Sequence, residues 1–320
     1  MNFLLSLLNT LPGAVAQGLI WGLMAIGVYL TYRVLDVADL TVDGSLATGG
    51  AVCVMLIRST NEFFANPWVA LLVAFIVGAL AGLVTGLLHT RCGIPAILAG
   101  ILTQLALYSV NLRIMEGKSN QPVSVDKYDL LVSQRYVRQM GLDNPLPLLV
   151  IFLIVLTLGL YWFFGTERGC SLRATGANQN MARAQGINTK SNIVIGLMLS
   201  NGIVAIAGAL LAQYQGSADV NMGRGAIVIG LAAVIIGEVL FEKIFRNFAL
   251  KLLGVAIGGV IYYIILQAVL MMGLNTNDLK LLTALIVALF LALPYWKGNV
   301  FRRKVAVTPA AEIDGGEDNA

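Results

Sequence analysis

The sequence predicts an all-α, polytopic membrane fold with about nine transmembrane helices. Three observations carry that prediction. Of 320 residues, 58% are hydrophobic and only 12% are charged, whereas soluble domains run near 25% charged. Mean hydropathy is +0.82. Apolar windows recur along the chain with short polar gaps between them, and each crossing takes about 20 residues. A soluble enzyme, a nucleic-acid binder and a secreted disulfide scaffold are excluded by the same composition. One His and three Cys leave little material for a metal site.

The windows fall, in order, at about 12–31, 44–57, 68–88, 94–112, 146–164, 192–214, 225–241, 250–272 and 280–296. The second is too short to cross alone and is expected to be broken, or to borrow part of 33–43. A polar loop at 113–145 separates the fourth and fifth spans, and a second sizeable loop covers 165–191. Met1 to Leu11 carries no basic residue ahead of its apolar run, so the N-terminal segment is expected to be retained rather than cleaved. Cys53 lies in an apolar stretch, and Cys92 and Cys170 lie in polar connections. Three cysteines without metal-ligand spacing read as free thiols.

Lys and Arg set the orientation. The loops holding Arg33, Arg91, Arg168 to Lys190, Lys243 to Lys251 and Lys297 to Lys304 share 13 basic residues; the opposite loops hold 8. The first set is therefore expected in the cytoplasm, with the C-terminus inside and the N-terminus outside. The net charge of +4 follows from this topology rather than from a nucleic-acid partner. Trp68, Trp162 and Trp296 sit at span ends, as an interfacial belt requires; Trp21 does not. Residues 1–304 read as one transmembrane domain, and 305–320 as a disordered, acidic cytoplasmic tail.

Three features depart from the apolar background. Asp36, Asp39 and Asp43, with Thr41 and Ser45, lie between two apolar runs. A carboxylate at bilayer centre costs about 2.5–3.5 kcal/mol, so such groups line water or protein. Either a solvated cytoplasmic turn or a helix broken near the membrane surface accommodates them, and Gly44, Gly49 and Gly50 permit the break. The same acids have the spacing with which intramembrane prenyltransferases hold Mg²⁺. The second acidic cluster those enzymes need is missing, since Asp126 and Asp129 belong to the opposite loop. Glycines recurring every fourth residue, at Gly78, Gly82 and Gly86 and at Gly254 and Gly258, predict close helix packing. In the loop at 165–191, Asn178 can cap a short helix through Ala182 and Arg183, and Gly186 can end it.

That loop resembles the coupling segment of permease subunits from bacterial ABC importers, in the branched-chain amino acid, ribose and nucleoside permease superfamily. The resemblance rests on Arg173-Ala174-Thr175-Gly176-Ala177-Asn178, then seven residues, then Gly186-Ile187. Asn180-Met181 stands where the family often has two alanines. Asp39-Leu40-Thr41-Val42-Asp43-Gly44-Ser45 is similar to a motif of the sugar permeases, with one additional acid, and looks most like an amino-acid-type subgroup. The likeness runs from about residue 13 to residue 296 and lacks one N-terminal span of the ribose type.

The resemblance implies an importer subunit of the bacterial inner membrane that works by alternating access. Its implied partners are a cytoplasmic ABC ATPase that holds ATP and Mg, an extracytoplasmic solute-binding protein and a second permease copy. The chain itself would hold no cofactor and carry out no catalysis. Gly117-Lys118-Ser119 imitates a P-loop, but Leu112 occupies its first glycine position. Arg168, Arg173, Gly176, Asn178, Arg183 and Gly186 would couple to the ATPase. Asp39, Thr41, Asp43, Gln104, Asn111, Asn201 and Gln213 are the candidates for the translocation path, with Gln17 and Gln267 as further polar span residues. Glu238 is expected to mark a helix end. An amino acid is the expected substrate. A stand-alone secondary transporter is the other class, although no internal inverted repeat is visible to support it.

Overall fold

The computed structural model describes residues 2–137, 144–241 and 247–271, together with 281, 283–285, 287–290 and 292; side chains are described from Thr10 onward. About half of the predicted ninth span at 280–296, and all of the tail at 305–320, lies outside the described residues. So does Trp296.

Six helices are long and apolar enough to cross a membrane, at Thr10–Val34, Pro67–Thr90, Ala96–Ile114, Pro145–Gly165, Thr189–Gln215 and Phe248–Met271. Two shorter apolar helices, Val42–Ile57 and Ala226–Phe241, complete the set among the described residues. In chain order the helices are α1 (Asn2–Tyr29, continued by a π turn at Leu30–Val34), α2 (Val42–Ile57), α3 (Glu62–Ala65), α4 (Pro67–Thr90), α5 (Ala96–Ile114), α6 (Pro145–Gly165), α7 (Glu167–Ala177), α8 (Gln179–Ala184), α9 (Thr189–Gln215), α10 (Ala226–Phe241) and α11 (Phe248–Met271). Their faces are those of a membrane protein. Trp68, Leu72, Ile76, Leu80 and Val84 form an exposed stripe down α4, and Ile151, Ile154, Val155, Leu158 and Trp162 another down α6. Apolar surface this continuous suits lipid or another subunit, not water.

The opposite face of α4 carries the glycines. α9 is the central helix, packed against α4, α2 and α1. A side chain at Gly78 would come 2.5 Å from the carbonyl oxygen of Asn201, and one at Gly86 3.0 Å from Val194 Cα; at Gly82 it would strike Leu197. Gly258 and Gly237 likewise bring α11 onto α10 backbone to backbone. Helices in lipid gain from such close approach because no solvent drives them together.

From 33–43 the second span gains only Val42 and Asp43 as helix. The π turn ends with Leu35 N–H bonded to Leu30 carbonyl at 3.0 Å, and Asp36 then takes φ +56°. An aspartate tolerates this left-handed conformation better than most residues, and it turns the chain out of the helix. Residues 36–41 run non-helically, and α2 begins at Val42 with 16 residues, about 24 Å. α10 has the same length. Both are shorter than a hydrocarbon core of about 30 Å.

At one end of the bundle, β1 (Asn120–Pro122) pairs antiparallel with β2 (Ser217–Asp219). This joins the long loop after α5 to the connection between α9 and α10. Leu131 N–H, bonded to Gln213 Oε1 at 3.0 Å, ties the same loop to the end of α9. At the other end lie α7 and α8, where the sequence predicts only the shorter helix. Thr166 caps α7, and a packed interface with the π turn and α9 holds it.

Candidate functional site

The carboxylate run does not act as one cluster. Asp36 is exposed, while Asp39 is 3% exposed. Asp39 Oδ1 accepts the Thr41 N–H at 2.9 Å, and Oδ2 accepts from Asn201 Nδ2 at 2.6 Å. Ser45 Oγ donates to Asn201 Oδ1 at 2.6 Å, and Asn201 Nδ2 also reaches the Leu197 carbonyl at 3.0 Å. Asn201 lies midway along α9, so Asp39 is held near half the depth of the bundle. A threonine chain continues from there: Thr41 Oγ1 lies 2.7 Å from Thr85 Oγ1 on α4, which donates to Thr103 Oγ1 on α5 at 2.9 Å. A buried acid in lipid is tolerable only when satisfied in this way.

Asp43 faces a different element. Its Oδ2 accepts from Gly225 N–H and its Oδ1 from Ile227 N–H, both at 3.0 Å. The first amides of a helix lack intrahelical partners and carry partial positive charge. Asp43, in the first turn of α2, therefore caps α10 from outside it. The two short helices meet at their N-termini.

Beside this junction opens a cleft of about 360 Å³ between α2, α5 and the connection before α10; Asp43, Gln104, Tyr108, Asn111 and Arg224 line it. Asn111 is 1% exposed and its Oδ1 has no hydrogen-bond partner. Among the described residues, no carboxylate pairs with Arg224. A second cleft of about 370 Å³ is lined by Gln17, Gln134, Arg135, Tyr214 and Gln267.

The structure thus divides the predicted path residues. Asp39, Thr41 and Asn201 form the buried network, and Asp43, Gln104 and Asn111 border the first cleft. Gln213 stands apart, with Oε1 on the Leu131 amide and Nε2 3.3 Å from Cys53 Sγ. Thr85, Thr103, Tyr108 and Arg224 were not singled out by sequence, and Ser45 only as part of the aspartate run. For Arg224, the signal was its place between Gly223 and Gly225 at the start of an apolar run.

The coupling candidates sit together on α7 and α8. Asn178 Oδ1 accepts from the amides of Asn180 and Met181, both at 3.0 Å, and Gly186, at φ +79°, ends α8. Arg183 Nε donates to Thr189 Oγ1 at 2.9 Å, fixing α8 to the start of α9. Arg173 lies over the Phe248 ring at 6.0 Å, and Arg168 is exposed. Gly176 rests on the backbone of Val34 and Leu35, where any side chain would strike the Val34 carbonyl. Leu35 in turn packs on Gly196 of α9, where a side chain would come 2.5 Å from its Cδ2. Glu238 receives Arg33 in a two-point ion pair, Nε to Oε1 at 2.7 Å and Nη2 to Oε2 at 3.0 Å.

Nothing here gathers metal ligands: the three aspartates of the run point to different partners, and among the described residues no three His, Cys, Asp or Glu side chains converge. The prenyltransferase reading is not favoured.

Comparison with known proteins agrees. Residues 11–293 match the family described as branched-chain amino acid transport system / permease component. A tyrosine transport system permease protein of Clostridioides difficile (strain R20291) is 40% identical over 276 residues, covering 86% of this chain and 88% of that protein. An uncharacterized protein of Rickettsia prowazekii (strain Madrid E) is 36% identical over 291 residues, covering 89% and 97%. The ribose import permease protein RbsC of Escherichia coli (strain K12) is 26% identical over 231 residues, covering 72% and 69%. No solved structure matches the chain. A multi-pass helical bundle, a family match across most of its length and a relative of this identity lead to one conclusion: the chain belongs to the branched-chain amino acid transport system permease family.

Proposed function

We propose that this chain is the membrane subunit of a binding-protein-dependent ABC importer and that it forms the path for a small polar solute, an amino acid. ATP hydrolysis on a partner ATPase drives the cycle. Residues 1–304 act as one permease domain, paired with a second copy of the same chain in the bacterial inner membrane. The α7–α8 end and the C-terminus face the cytoplasm; the β1–β2 end receives the solute-binding protein. The two loops that would dock that protein, 113–145 and 216–225, are joined where β1 pairs with β2.

The observation that carries this reading is the Gly176 contact. α7 and α8 form a surface pair with Met181 64% exposed, suited to a socket on the ATPase. α7 bears directly on Val34 and Leu35, and within the next six residues the same stretch of chain holds Asp39 and Thr41. Movement at the cytoplasmic surface therefore has a packed route to the buried network and to the α2–α10 junction. An ATPase that contacts the two states differently shifts their balance through that route.

Gentle purification of the tagged chain from its native membrane, with mass spectrometry of what accompanies it, tests the reading. A stoichiometric ATPase, and ATP-driven amino-acid uptake by the reconstituted complex, are expected. A chain that moves solute without any ATPase would make it a secondary transporter.

A further inference from the structure

The cleft beside the α2–α10 junction has an arrangement that the permease reading does not itself require. Asn111 presents a buried acceptor with no donor to meet it. An orphaned buried acceptor is costly, and native structures retain few of them without a reason. Arg224 contributes a guanidinium with no carboxylate partner among the described residues. Asp43 adds negative charge on the α2 wall, its oxygens already occupied by the amides of Gly225 and Ile227. The cleft thus holds an exposed, unpaired cation, an unmet acceptor and a fixed anion, within a volume of about 360 Å³.

We infer that this cleft is a binding site for a zwitterionic α-amino acid, with Arg224 holding the carboxylate and Asn111 Oδ1 the ammonium. Guanidinium and carboxylate pair through two parallel hydrogen bonds, and this fixes the α-carbon end of the solute. The ammonium supplies the donor that Asn111 lacks and gains from the charge of Asp43. Tyr108 and Leu105 are left to face the side chain. A sugar supplies no anion for Arg224, and an amine without a carboxylate leaves it equally unmet. The site also lies where α2 meets α10, so its occupancy bears on the junction that the coupling route reaches. The inference rests on the amino-acid permease reading and gives that reading a location.

The test uses the full importer in lipid nanodiscs and ligand-observed NMR, with the proteinogenic amino acids tried singly, L-tyrosine first. Two analogues accompany the amino acid that binds: its methyl ester, which lacks the anion, and its deaminated acid, which lacks the ammonium. The wild type is expected to prefer the amino acid over both by at least tenfold. Arg224→Gln should abolish the preference over the ester and Arg224→Lys restore part of it, while Asn111→Leu should abolish the preference over the deaminated acid. The affinity for the solute-binding protein is measured on the same samples.

Unchanged ligand preferences in Arg224→Gln would overturn the inference. If such a variant also lost affinity for the solute-binding protein, Arg224 would be a docking residue instead. An importer that co-purifies with its ATPase yet binds none of the amino acids would overturn the site alone. A chain with no ATPase would instead remove the reading on which the site rests.

Discussion

The sharpest consequence of the buried network concerns Asp39 and Asn201. Asn201→Ala removes a hydrogen bond of 2.6 Å to Asp39 and leaves the Ser45 hydroxyl, now 2.6 Å from Asn201 Oδ1, without its acceptor. A bond to an ionised Asp39 would contribute about 1.5–3 kcal/mol, and an orphaned buried hydroxyl costs about 1–3 kcal/mol. The single variant is therefore expected to lose about 2.5–6 kcal/mol. Asp39→Ala removes the same bond from the other side, together with the bond to Thr41 N–H. If the pair acts as a unit, the double variant loses less than the sum of the singles by about 1.5–3 kcal/mol. Neutral hydrogen bonds between membrane helices couple by only about 0.6 kcal/mol on average, so the measurement separates a charged strut from an ordinary contact. Reversible unfolding of the four proteins in mixed micelles reads it directly. Additivity within about 0.5 kcal/mol would refute the account, because independent sites behave that way.

Three further outcomes are expected. Gly176→Val forces a side chain into the Val34 carbonyl; ATP hydrolysis by the reconstituted importer should persist while coupled transport falls at least tenfold, and normal coupling would break the proposed route. Asp43→Asn replaces two carboxylate bonds to the start of α10 with at most one good one, so unfolding measurements should register a loss of about 1–2 kcal/mol, the range for a helix cap; a neutral result would mean that α10 needs no external cap. Cys53 is buried and Cys92 and Cys170 are exposed, so in right-side-out vesicles an impermeant maleimide should label none of them, and in inverted vesicles only the last two. Labelling of Cys92 or Cys170 from outside would reverse the orientation.

Much of this architecture could be read from the chain because lipid makes burial periodic in a simple way. The window at 68–88 became Pro67–Thr90 and that at 146–164 became Pro145–Gly165, each started by a proline after a capping asparagine. The glycines of α4 pointed to close packing before any partner was known, and that partner is α9. Asn178 and Gly186 delimit α8 as their chemistry requires. Less legible was anything that depends on which helices meet. Asp36, Asp39 and Asp43 look alike in sequence, yet one is exposed, one joins Asn201 and one caps α10. That division is decided by residues more than 160 positions away. Arg224 was legible only as a charge for topology, and Gln213, a path candidate by polarity, proved to be tied to Leu131 and Cys53. The helix α7 was missed because its polar sequence has no apolar stripe; Thr166 and its contact with the π turn define it.

The two short helices explain why so apolar a protein keeps acids at this depth. A full-length second span would satisfy its own backbone and need no carboxylate. Starting α2 and α10 inside the bundle leaves two sets of unpaired helix amides in a medium with no water to take them. Asp43 answers the set at α10, and Asp39 accepts the Thr41 amide at the start of α2. Each acid is thus held by the break it stabilises. A broken helix can shift at its break without parting a continuous hydrogen-bond ladder, and the segment before α2 is also the one on which Gly176 rests. The costs of the break and of the buried acids offset each other, and what remains is a joint that a contact at the bundle surface can move.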